Sequence, residues 1–205
     1  MTLLFFILFL STIMFAIVIY LGLKYRARIF SESLLLTSDQ MWNSISPKIN
    51  KSNFQKEDLL FGVWQDRSST EMILVVKDTK DLMVAIVEFP MGGNDHKISI
   101  GSEIFNIENL PTWKKSATLK SKNGILMANF KRLNIFLDDQ FEVPGHENIT
   151  AFRVPFDQRR LAKLAIEGKH VGITQNISPR FKIGRIGIIP HSLPLSVRIF
   201  LLVYG

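Results

Sequence analysis

A chain of 205 residues with 25 Lys and Arg against 18 Asp and Glu, a formal charge of +7 and no cysteine has room for one globular domain. It excludes disulfide staples, thiolate metal sites and cysteine nucleophiles together. The charge is uneven: Lys24, Arg26 and Arg28 give +3, residues 29–148 hold 13 basic and 16 acidic side chains, and residues 149–205 hold 9 basic and 2 acidic ones.

The first predicted element is the apolar run Leu3–Leu23, free of charge and interrupted only by Ser11 and Thr12. At about 1.5 Å per residue a helix of this length covers roughly 30 Å, the hydrocarbon thickness of a bilayer. The apolar core of a cleavable signal is only about 7 to 15 residues long and follows positive charge. The run is therefore expected to be a retained transmembrane anchor. Lys24, Arg26 and Arg28 form the basic juxtamembrane segment after it, and basic flanks stay on the cytoplasmic side, so the soluble domain is expected to face the cytoplasm.

Residues 29–58 are expected to join anchor and domain. Leu34, Leu35, Met41, Trp42 and Ile45 share one helical side, as an amphipathic helix or a continuation of the anchor. Ser46-Pro47 ends that pattern, and the polar stretch Lys48–Asp58 reads as a linker. The domain is expected over residues 59–205, opening on Leu59–Trp64 as a short helix or an entering strand.

From Glu71 the period changes to two. Glu71–Lys77 and Leu82–Phe89 are dense in β-branched residues around the polar turn Asp78–Asp81 and predict a hairpin. Met91-Gly92-Gly93-Asn94 reads as a turn, lacking the Lys-Ser or Lys-Thr of a phosphate loop. His96–Ile100 and Glu103–Ile107 flank Gly101-Ser102. Ala117–Ser121 and Ile125–Phe130 flank Asn123-Gly124, the dipeptide suited to a tight primed turn with both residues at positive φ. Leu133–Leu137, Ile149–Val154, Val171–Gln175 and Phe181–Ile189 extend the series, with turns at Asp138-Asp139, Pro144-Gly145 and Ser178-Pro179. For Arg159–Glu167, Ala and Leu content allows a helix, and a strand preceded by a helical turn is the favoured reading. So many short strands with regular turns predict a mainly β domain, an antiparallel barrel or sandwich.

Leu193–Tyr204 is apolar nearly all round, but at about 12 residues, with Arg198 inside, it is too short and too charged to span a membrane. It reads as a buried core element. Pro194 suits the first turn of a helix, while the β-branched content suits a final strand; periodicity leaves the two even, and the chain order favours a helix enclosed by the strands before it.

The successive hairpins, the Glu167-Gly-Lys-His-Val-Gly172 turn, Phe181–Ile189 and the terminal apolar segment together resemble the tubby and phospholipid scramblase superfamily, over about Val63–Gly205. The resemblance implies a roughly twelve-strand barrel closed around a hydrophobic C-terminal helix, presented to phospholipid headgroups or to a membrane partner, with no catalytic residues carried over. Scramblases carry their long apolar segment at the C-terminus, whereas the apolar run here is N-terminal, so scrambling itself is not implied.

The rest of the sequence predicts binding without catalysis. His96, His146, His170 and His191 are isolated, with no metal-ligand spacing. Asp138, Asp139, Glu142 and Glu147 read as a solvated turn, since the loop pattern of a calcium site is missing. No serine sits in a GxSxG elbow. The expectation is therefore no catalytic residue, no metal and no cofactor.

Arg153, Arg159, Arg160, Lys163, Lys169, Arg180, Lys182 and Arg185 are the candidate basic face, aimed at anionic lipid headgroups. Phe152, Phe156 and Phe181 read as core residues, which leaves few stacking platforms for bases and argues against nucleic acid. Two functions follow: a membrane-anchored lipid-recognition module, or an assembly subunit whose barrel docks another membrane protein.

Overall fold

Alternating apolar side chains commit each strand to one buried face, and in this computed structural model the antiparallel pairing carries that face round a complete circle. Residues 9–22, 24, 35–45, 47, 49–68, 71–90, 95–109, 116–133, 138–178 and 183–205 are described. The chain divides into two units, Met1–Leu36 and Thr37–Gly205.

In the first unit residues 9–22 are helical and every one of them is exposed. Among the described residues no helix is long and apolar enough to cross a membrane; residues 3–8 and 23 of the expected span lie outside them. Arg26 and Arg28 also lie outside.

The second unit is a closed antiparallel barrel of twelve strands. The strands are β1 (Leu59–Ser68), β2 (Glu71–Lys77), β3 (Met83–Pro90), β4 (Asp95–Ile100), β5 (Glu103–Asn109) and β6 (Ser116–Ser121). They continue with β7 (Leu126–Arg132), β8 (Asp138–Glu142), β9 (Ile149–Arg153), β10 (Ala162–Ile166), β11 (Lys169–Asn176) and β12 (Gly184–Ile188). Each pairs with the next, and β1 returns to pair with β12 from Leu59 opposite Ile188 to Val63 opposite Gly184. Closure leaves no sheet edge to attract another chain. At that seam a Cβ on Gly184 would lie 2.0 Å from the carbonyl oxygen of Gly62, so only glycine lets the two strands approach.

The hairpin expectations hold for β2–β3 and β4–β5, with one revision in turn chemistry. Gly124 has φ +79° but Asn123 is not at positive φ, and Gly124 N–H donates to Ser121 O. The connection is a three-residue Lys122–Gly124 loop ending in a left-handed glycine. The two-residue turn with both positions at positive φ is instead Glu167-Gly168, at 48° and 77°, between Ile166 and its partner Lys169. Most of Leu133–Leu137 lies outside the described residues, as do Met91–Asn94 and Pro179–Lys182.

The terminal segment is helix α2 (Leu195–Tyr204). Val197, Ile199, Phe200, Leu201 and Leu202 are buried in one cluster with residues of β1 through β10, so the helix fills the barrel. A helix satisfies its own backbone groups, which an extended segment inside a closed sheet could not do. Phe200 meets Phe141 edge-on at 6.0 Å and Tyr204 at 4.9 Å between ring centres. Arg198 explains the lone charge: its Nε donates to Ile189 O at 3.1 Å and an Nη to Asp58 O at 3.0 Å, fastening the helix to the ends of the strands.

Residues 37–58, expected as helix and linker, belong to the barrel unit. A capping box between Thr37 and Gln40 starts α1 (Ser38–Ser44), and two 3-10 turns follow at Lys51–Asn53 and Lys56–Asp58. This strap packs on the outside of β1 and β12. It explains why Leu59, Phe61, Val63, Ile186 and Ile188, which alternate with the inward residues, are nevertheless buried.

Candidate functional site

Directly opposed residues of a sheet share a face. The pairs Arg132–Asp139, Asp139–Ala151, Arg153–Ala162, Ala162–Thr174 and Thr174–Gly187 therefore place Arg132, Asp139, Arg153 and Arg185 on the interior face that carries Ala151 and Ala162. They gather at the barrel mouth where α2 ends. The expected Asp138-Asp139 turn is revised: both residues open β8, and Asp139 is 1% exposed. Its carboxylate accepts from Arg132 Nε at 2.8 Å and from Arg153 Nε and Nη2 at 2.9 and 2.6 Å. A buried carboxylate needs such partners, and two guanidiniums supply them.

Arg185 reaches inward to the end of α2. It donates to Val203 O at 3.2 Å, to Thr174 Oγ1 at 3.4 Å and to Gly205 O. A cation there complements the negative end of the helix dipole. Burial pushes this guanidinium down to about 10, and the like charges of Arg153 and Arg160 push the same way. Arg153, Arg160 and Arg185 thus crowd one mouth.

The other candidates scatter. Arg159 is half-buried and donates to Ser44 O, holding the strap to the barrel. Arg160 is exposed, with φ 54°. Lys163, outward on β10 opposite Phe152, lines a groove of about 220 Å³ between strap and barrel with Ile49, Asn50, Phe54 and His170. Lys169 starts β11 beyond the Glu167-Gly168 turn, at the opposite end of β10 from Arg160. Arg180 and Lys182 lie outside the described residues, and Lys24 belongs to the other unit. The single basic face is therefore corrected: strand alternation sends Arg153 and Arg185 inward while Lys163 points out.

The β9–β10 loop, Val154–Leu161, carries what the sequence reading missed. Phe156, expected in the core, is 103% exposed with φ 59°, and Phe152 is 41% exposed. Phe181 lies outside the described residues. Asp157 holds the loop: its Oδ1 accepts from the amides of Arg159 at 2.9 Å and Leu161 at 3.4 Å. The one available signal was Pro155-Phe-Asp157, a turn sequence with a built-in Asx cap.

Of the histidines, His191 bonds Asp58 Oδ1 at 2.8 Å through Nδ1, and His96 lies 3.1 Å from Tyr204 Oη. Burial pushes the His96 pKa below its ordinary value, partly offset by Asp95. The unfolded chain therefore binds a proton that the folded one resists, so stability should fall as pH drops below about 6.5, until the folded group also titrates. Thermal melts between pH 7.5 and pH 5 test this: His96→Gln should flatten the decline, and an unchanged slope would refute it. Among the described residues no group of His, Asp and Glu is arranged to hold a metal ion.

Comparisons with protein-family models, with curated proteins and with solved structures gave no match in any of the three.

Proposed function

We propose that the chain is a membrane-anchored, non-enzymatic β-barrel domain of tubby and scramblase-like type that recognises anionic phospholipid headgroups at the membrane surface. Its anchor is the apolar Leu3–Leu23 run, with the domain on the cytoplasmic side. The observation that carries the reading is the arginine-crowded mouth. Arg153 and Arg160 lie close enough to Arg185 to disfavour its charge, and the Asp139 carboxylate is shared by Arg132 and Arg153. A concentration of guanidinium groups at the barrel mouth suits a phosphate-bearing surface. The exposed apolar side chains of residues 9–22 suit a lipid environment for that helix.

A fragment spanning Thr37–Gly205 tests the reading by flotation with neutral and anionic vesicles across a salt series. It must begin before α1, since the strap packs on the barrel. Each basic residue near an anionic leaflet contributes on the order of 1 kcal/mol, so charge reversal in Arg160→Glu, which replaces attraction by repulsion, should weaken binding roughly 30-fold. Rising salt should release the fragment. A fragment left behind at low salt would sink the proposal. The second reading, docking to another membrane protein, is supported by exposed Leu82 and Met83 at the start of β3 and by Ile125 at the β6–β7 turn. Crosslinking in the native membrane would then be the test.

A further inference from the structure

The β9–β10 loop pairs an unusual backbone with an unusual exposure. An aromatic residue at φ 59° is strained, because its Cβ crowds the backbone in the left-handed region. Such strain persists only where the surroundings enforce it. Here they do: Val154 N–H bonds Leu161 O at 2.8 Å, Asp157 N–H bonds Val154 O at 3.3 Å, Arg160 N–H bonds Asp157 O at 3.0 Å, and Asn176 N–H bonds Arg159 O at 2.6 Å. The Asp157 carboxylate adds two bonds to the same loop. All of this ordering ends in a side chain that buries nothing. A strained, rigid loop that presents a fully exposed phenylalanine stabilises neither the loop nor the core.

Building on the headgroup reading, we infer that Phe156 is the residue the barrel pushes into the acyl region of the bilayer. Pro155, exposed beside it, adds apolar surface, and Arg160, exposed four residues on, would meet the phosphates as the ring enters below them. Phe152 and Lys163, opposed on the outer face of β9 and β10, repeat that apolar and basic combination on the adjoining strands. An aromatic ring costs little conformational entropy to immobilise and gains its full apolar area on entering hydrocarbon. The loop is already ordered, so little remains to be lost on binding. The partner is accordingly a lipid surface of net negative charge. A protein pocket for the ring would need no anionic surface around it.

The chain has no cysteine, so Phe156→Cys gives one unique attachment point for a nitrobenzoxadiazole fluorophore on the full-length protein. Reconstituted in vesicles containing phosphatidylserine, the label should be quenched more by nitroxide on the lipid acyl chain than by nitroxide on the headgroup. High salt or purely phosphatidylcholine vesicles should abolish both. Quenching by the headgroup nitroxide alone would overturn insertion while leaving headgroup recognition standing. Quenching by neither in anionic vesicles would overturn both. A second variant separates function from folding: Phe156→Gly relieves the strain and removes no buried contact, so it should melt about 3 °C higher than the parent. A lower melting temperature would show that Phe156 serves stability, against the inference.

Discussion

Asp139→Ala should destabilise the barrel unit by about 3 kcal/mol or more, the cost of removing one partner from a buried ion pair. Asp139 is 1% exposed and bonds Arg132 and Arg153, whose side chains are 20% and 38% exposed. Those partial exposures let the stranded guanidiniums recover some hydration, which places the expected loss at the low end of the range for buried pairs. Arg185 stands nearby and already bears the like charge of Arg153, so the loss also leaves unrelieved repulsion. Asp139→Asn retains acceptor geometry at one oxygen and should lose less. Urea denaturation of the Thr37–Gly205 fragment measures both, and a change below about 1 kcal/mol for the alanine variant would refute the clamp. Under conditions where the variant stays folded, the mouth carries one more net positive charge, so anionic vesicles should bind it more tightly than the parent. Stability and binding should therefore move in opposite directions, which a purely structural ion pair does not predict.

Phe200→Ala should cost about 3 to 5 kcal/mol, the range for emptying a fully buried aromatic site. Phe200 is 0% exposed and touches both Phe141 on β8 and Tyr204 on its own helix. A closed barrel has little freedom to collapse onto the space the ring leaves, because each strand is pinned by two neighbours. The measurement is the same denaturation, with Leu195→Ala as the comparison: Leu195 is only partly buried at the first turn of α2 and should cost clearly less. If both variants cost the same, the helix is not the centre of the core. The melting temperature for Phe200→Ala should fall by roughly 10 °C, given the size of the unit.

The hairpin series was legible because it is written in local chemistry: period-two alternation, β-branched residues and short polar or glycine turns. Where a turn type depends on more than its dipeptide, legibility failed. Asn123-Gly124 is the better primed-turn sequence, yet the primed turn formed at Glu167-Gly168, where the β10–β11 register leaves two residues to connect. The basic face failed for a related reason. A count of positive residues ignores the pleat, which turns Arg153 and Arg185 inward and leaves Lys163 facing out, while Arg160 sits exposed in the β9–β10 loop. Asp139 was read as solvated because nothing nearby in sequence announces a partner; Arg132 lies 7 residues before it and Arg153 14 residues after, across two different strand pairings. Phe156 was read as core because an isolated phenylalanine usually is, and only the loop geometry contradicts it.

By itself, the sequence determined the β class, the run of hairpins, the buried character of residues 193–204 and the apolar nature of the N-terminal segment, since each follows from neighbours a few residues apart. Tertiary structure decided the rest. Pairing of β1 with β12 joins residues about as far apart as the barrel unit allows, and no local pattern encodes it. That closure forced the terminal segment to be a helix, because the completed sheet offers no free edge for one more strand. It also fixed which strand arginines meet at the mouth, since the inward or outward sense of a strand side chain is set by register around the whole ring, while the hydrogen-bonded β9–β10 loop holds Phe156 outside.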